Sequence, residues 1–421
     1  MRILLERNDV NPEAADDEYS QTPLSWAAEN GHGGVVSILL GRGDVNPDTV
    51  NEYGRTPLSF AAENGHEGVV RIFLERNSVN PDTLDEFGKT PLSFAAENGH
   101  ERIVRILLGR EDVDPSTANK YGQTPLSRAA YNGHEGVVRM LLERDNVNPD
   151  TLDESGRTPL SFAARNGHEG AVRILLERKD VDPDTASKHG RTPPSRAAEN
   201  GQKGIVMILL ERSDVNPDTL DKFGRTPLSF AARNGHEGIV RILLGRGDVD
   251  PSIADKYGQT PLSRAAYNGH EGVVRMLLER DNVDSDTLDE SGRTPLSFVA
   301  ENGHEGVVRI LLERSKVDPN TAGKSGRTPL SRAAQNGHEG VVRMLLERND
   351  VNPNIPDKYG RTPVSLAVRN GHERIAKLLQ DRPPHSIPGY AASLQLTELP
   401  LPDPPDPPEP SESPFKRARR F

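Results

Sequence analysis

Along most of the chain, short apolar stripes and polar connectors alternate with a fixed beat. In the stretch that starts at Thr56, Leu58, Ala61 and Ala62 fall at i, i+3 and i+4, the signature of one helix face. Thr56 is placed to cap that helix, and Pro57 fits its first position, where a missing N–H costs nothing. Asn64-Gly65 predicts its end, with Gly65 free to adopt the left-handed conformation. His66 and Glu67 open a second helix, whose apolar residues are Val69, Val70, Ile72, Phe73 and Leu74. From Asn77 to Gly88 the chain is polar and contains Pro81 and Gly88, so it reads as a hairpin-like finger. Helices this short are marginal alone, and no such unit should fold without neighbours.

The unit recurs. Thr-Pro pairs begin at Thr22, Thr56, Thr90, Thr124, Thr158, Thr192, Thr226, Thr260, Thr294, Thr328 and Thr362, eleven copies with a 34-residue period and no insertion between them. These copies are called repeats 1 to 11 below. Residues 22–381 thus form one array, and residues 1–21 carry a partial unit in which Arg2-Ile3-Leu4-Leu5-Glu6-Arg7 matches Arg309-Ile310-Leu311-Leu312-Glu313-Arg314. Two readings of that start stay open: a frayed half-repeat, or a natural product that extends further upstream. Residues 382–421 change character, with eleven prolines between Pro383 and Pro414 among Ser and acidic residues, a composition expected to stay disordered.

The pattern T-P-L-x-x-A-A-x-x-G-H-x-x-V-V-x-x-L-L resembles the ankyrin repeat over roughly residues 20–381. That resemblance implies an all-α solenoid of stacked helix-turn-helix units with finger-like connectors. It also implies a non-enzymatic role in binding other proteins through a concave groove. Three departures stand out. Ser25, Ser59, Ser93 and their counterparts replace the histidine that usually follows Thr-Pro-Leu, so the inter-repeat hydrogen bond of that histidine is not carried over. The period is 34 rather than the commoner 33, and the Asp44-Val45-Asn46-Pro47 finger is similar to that of fungal arrays.

Composition narrows the class. A 34% hydrophobic and 5% aromatic content suits thin layers better than one large core. The chain has no cysteine, which excludes a disulfide framework and fits a reducing, cytoplasmic setting. No apolar run approaches a membrane span. The net charge is −11, and the tail balances five basic against five acidic residues, so the imbalance sits in the repeats. An acidic array argues against binding nucleic acid through its phosphates.

Candidate chemistry is sparse. His32, His66, His100, His134, His168, His236, His270, His304, His338 and His372 form a column, but helices packed ~8–10 Å apart do not bring such residues to one ion. Repetition itself opposes an active site, which needs one singular constellation. We therefore expect no catalytic residue, no metal and no cofactor. The variable positions say more. By the resemblance, the residue before each finger glycine and the residue seven after each Thr face the groove. Among them the protein-binding candidates are Tyr53, Phe87, Tyr121, Tyr131, Arg165, Phe223, Arg233, Tyr257, Tyr267 and Tyr359.

A further column alternates Phe and Arg from Phe94 to Arg332, which suggests arginines stacked between the Phe rings of neighbouring units. Lys120–Val147 and Lys256–Val283 are identical, so Tyr121/Tyr131 and Tyr257/Tyr267 would be twin patches able to engage a bivalent partner. Repeat 6 is the odd unit, with Pro194 for Leu, Gln202 for His and Met207 for a basic residue, and is expected to be the weakest. At the far end Lys416, Arg417, Arg419 and Arg420 are similar to a short nuclear-import signal. The reading is a monomeric scaffold for protein or peptide partners, with neither nucleic acid nor membrane as a target. Its alternatives are the sensor part of a larger NTPase-type receptor, or a spacer without a ligand.

Overall fold

The computed structural model describes residues 11–76 and 78–381. The leading Arg2–Arg7 match, the Pro-rich tail and the basic Lys416–Arg420 run lie outside the described residues. Among the described residues there are 22 helices and no strand. They alternate as first helices, from Pro23–Glu29 to Pro363–Arg369, and second helices, from Gly33–Leu40 to Glu373–Gln380. First helices pack on the first helices of adjacent repeats and second helices on second helices, the contact pattern of a solenoid.

The local reasons are those legible in the chain. Each Thr takes an extended conformation and its Oγ1 accepts the N–H of the Ser three residues on, for example Ser59 N–H to Thr56 at 3.2 Å. Proline then starts the first helix. Leu58, Ala61 and Ala62 are buried, and the small alanines allow the close approach of neighbouring first helices. The serine that stands in the family histidine's place stays on its own cap: Ser59 Oγ donates to the Thr56 carbonyl at 2.7 Å.

Inter-repeat links come from elsewhere. His66 Nε2 meets the carbonyl of Glu29 at 2.8 Å, 37 residues back, at the end of the preceding first helix. The same rung recurs from His100 to His372 at 2.8–3.2 Å. In repeat 6 the substitute Gln202 reaches the Arg165 carbonyl only at 3.5 Å. These histidines are therefore structural rungs, each using the carbonyl that a helix end leaves unsatisfied. Gly65 makes room for one of them: its φ is 77°, and an added Cβ would stand 2.7 Å from the His100 ring.

The fingers are tight turns without strand pairing. One backbone hydrogen bond joins each to the next, as from Glu86 N–H to Tyr53 O at 2.8 Å and from Lys120 N–H to Phe87 O at 2.7 Å. In several fingers a second link runs from a backbone N–H to an aspartate, such as Asp182 N–H to Asp150 Oδ2 at 2.8 Å. The second oxygen of that aspartate is buried without a partner, and burial raises the pKa of Asp48, Asp82, Asp150, Asp184, Asp218 and Asp286.

Candidate functional site: the first-helix and finger face

Three positions per repeat converge: the residue before Thr, the fourth after it and the seventh after it. In repeat 2, Arg55 lies with its guanidinium carbon 4.1 Å from the Phe60 ring centre and pairs with Glu63. In repeat 3, Lys89 lies over Phe94 at 5.1 Å and donates to Glu97 at 2.7 Å. Phe162, Phe230 and Phe298 are covered in the same way by Arg157, Arg191 with Arg225, and Arg293, at 4.5–4.9 Å. The rings themselves are buried.

These contacts correct the expected stacking. The cations over the Phe rings come mainly from the residue before Thr, a column that sequence reasoning passed over. Three of the four arginines in the alternating column reach carboxylates: Arg128 pairs with Glu97, Arg264 with Asp255, and Arg332 with Glu301 at 2.8 Å. A charge-assisted hydrogen bond is worth ~1.5–3 kcal/mol against ~0.5–1 for an exposed cation–ring contact, so a carboxylate within reach wins.

The predicted binding residues fall into two rows. Tyr53, Phe87, Tyr121, Phe223, Tyr257 and Tyr359 sit at the finger turns; Tyr257 is half-buried and the others are exposed. Some of these rings meet: Tyr19 and Tyr53 at 6.5 Å, Phe223 and Tyr257 at 6.5 Å. Tyr359 lies under Arg361 and Lys358. In the first-helix row, Tyr131 meets Phe162 edge-on and Tyr267 meets Phe298 edge-on, each at 5.7 Å, while both tyrosines remain exposed on their outer side. Arg165 and Arg233 are half-buried. Burial first, then the charges of Arg264 and Arg225, lowers the pKa of Arg233.

One exposed row was missed. Leu84, Leu152, Leu220 and Leu288 stand half exposed in the fingers at 68-residue intervals. Its signal was a leucine in every second connector, with Ala118, Ala186 and Ala254 between, visible only when alternate repeats are compared.

With this geometry in hand, the comparison with family models is decisive. The model for ankyrin repeats (3 copies) matches residues 1–83, 76–153, 145–219, 195–289, 281–357 and 317–387. The chain belongs to the ankyrin-repeat family. No curated protein matches it. Ankyrin repeats generally serve protein–protein interaction and are typically non-enzymatic. Among the described residues of this ankyrin array, no helix is long and apolar enough to cross a membrane.

Proposed function

We propose that the array is a non-enzymatic scaffold that binds protein or peptide partners on the face built by its first helices and fingers, the concave groove of the family. The observation that carries this reading is the double row of aromatic side chains with exposed faces on a rigid frame, Tyr53, Phe87, Tyr121 and Tyr359 in the fingers and Tyr131 and Tyr267 on the helices. Such rings contribute large contact area at low entropic cost, and a frame held by repeated hydrogen bonds loses little freedom on binding.

The test is a pull-down from native lysate with the array and with a variant carrying Tyr121, Tyr131, Tyr257 and Tyr267 all replaced by Ala. The wild type should retain partners that the fourfold variant loses, replacing both twin pairs should weaken binding more than replacing either alone, and simple additivity would count against one bivalent partner. Equal retention by wild type and variant would remove the tyrosines from the binding face.

A further inference from the structure

Four repeats carry arginine at the fourth position after Thr: Arg128, Arg196, Arg264 and Arg332. In three of them the array supplies a carboxylate, from one of two places. Arg128 and Arg332 use Glu97 and Glu301, 31 residues upstream on the preceding first helix. Arg264 uses Asp255, nine residues upstream in its own finger. For Arg196 the corresponding residues are Arg165 and Ser187. One carboxylate has become a hydroxyl, which is engaged by the Arg191 N–H at 3.2 Å, and the other has become a like charge.

The consequence is an unmatched cation held partly out of water. Arg196 makes no side-chain hydrogen bond or ion pair among the described residues, and its Nε is buried without a partner. Among the described residues the Arg165 guanidinium likewise makes no hydrogen bond or ion pair, and its charge acts on Arg196. Glu199, the nearby carboxylate, is taken by Arg191. Burial first, then repulsion from Arg191, brings the Arg196 pKa down to about 10, against the opposing pull of Glu199.

We propose that Arg196 and Arg165, between repeats 5 and 6, form an oxyanion-binding site that takes a carboxylate or phosphoryl group of an acidic peptide segment. A guanidinium fork matches either group with two parallel hydrogen bonds, and the ligand fills the place that Glu97, Glu301 or Asp255 fills elsewhere. A peptide suits the surroundings better than a nucleic acid. The chain carries a net charge of −11, so a long polyanion is repelled beyond this cationic spot. Tyr131, 34 residues before Arg165, packs one edge on Phe162 and keeps part of its ring exposed. This site rests on the binding face proposed above and gives it a ligand chemistry.

Fluorescence anisotropy tests it on the full chain, with labelled hexa-aspartate, the same peptide carrying two phosphoserines, neutral hexa-asparagine and a single-stranded DNA as probes. We expect saturable binding of the acidic peptides only. Arg196→Gln should weaken it at least about tenfold, the scale of one charge-assisted contact. Ser187→Asp should weaken it as much, by giving Arg196 the internal partner that Arg264 has, and should raise the melting temperature rather than lower it. Arg332→Gln, in a repeat already satisfied by Glu301, should change binding less than about twofold. Tighter binding of the phosphorylated probe assigns a phosphoryl source, and equal binding assigns carboxylates. No saturable binding of either acidic peptide overturns the site, as does binding that survives Ser187→Asp or tighter binding of DNA. Lysate partners that persist while these probes fail would leave the tyrosine face standing without the oxyanion site.

Discussion

Repeats 4 and 8 share 28 identical residues, Lys120–Val147 and Lys256–Val283, yet the same arginine behaves differently in each. Arg128 leans back to Glu97 on the preceding helix and lies 5.1 Å from the Tyr131 ring. Arg264 finds Arg233 in that preceding position, turns to the finger residue Asp255 and is buried to 4% exposure. Similarly, Tyr257 packs on Phe223 while its twin Tyr121 stays exposed. A repeat therefore sets its own local backbone conformation, but its surface chemistry belongs to the pair it forms with its neighbour.

The largest effect should come from breaking the buried pair. Asp255→Asn keeps the acceptor for the Tyr257 and Gln259 N–H groups, the role that Asn119 plays in repeat 4. It removes the carboxylate of Arg264, and repeat 8 should lose about 3–5 kcal/mol in hydrogen exchange or urea unfolding. Adding Arg233→Glu recreates the repeat 4 surroundings and should recover most of that loss. Glu97→Gln, at the partly exposed twin, should cost only ~1 kcal/mol. Equal costs for Asp255→Asn and Glu97→Gln would show that context does not divide the twins.

The rungs should be less discriminating. His134 and His270 both meet a carbonyl at 2.9 Å, so His134→Ala and His270→Ala should each cost ~1 kcal/mol with no twin difference. Gln202→His, at the stretched 3.5 Å rung, should stabilise repeat 6 and delay its exchange, which we expect to lead that of repeat 3 in the wild type.

The smallest effect is a pH term shared by Asp150 and Asp286. Burial puts their folded pKa above the ordinary 3.8, so the folded chain takes up these protons first. Stability from this source is complete below 3.8 and is lost as pH rises through the raised value. At the same finger position Asn320 already works as an amide, accepting Asn352 N–H at 2.8 Å and donating to Asp350 O at 2.6 Å. Asp150→Asn and Asp286→Asn should therefore raise the melting temperature near neutrality, with a smaller gain near about pH 4. A gain independent of pH would assign the effect to the new donor alone.

What the chain revealed on its own follows the same division. Thr56, Pro57 and Gly65 act through their own backbone and immediate neighbours, so cap, helix start and left-handed turn were legible residue by residue. So were the buried Leu58, Ala61 and Ala62. The partners of the Phe and Arg columns were not, because they depend on which of several cations and carboxylates 5 to 39 residues away comes within reach. The exposed Leu84 row and the unmatched Arg196 share this origin. Both emerge only when one repeat is laid on another and the differences are read through contacts between them. The carbonyls that receive the histidines from His66 onward lie 37 residues back and could be found only in three dimensions.

The links between repeats also bear on how such a chain can change. The His-to-carbonyl rung and the finger-to-finger hydrogen bond both connect one repeat to the next through backbone carbonyls, whatever side chains the donors and neighbours carry. Apart from the stretched Gln202 rung the described seams are joined alike, and recombination can splice in or drop whole modules without leaving a mismatched joint. The duplicated block bears the mark of one such event. Each splice would shift a binding feature along the wall by whole steps, allowing the spacing between two contact points to evolve while the wall itself stays intact.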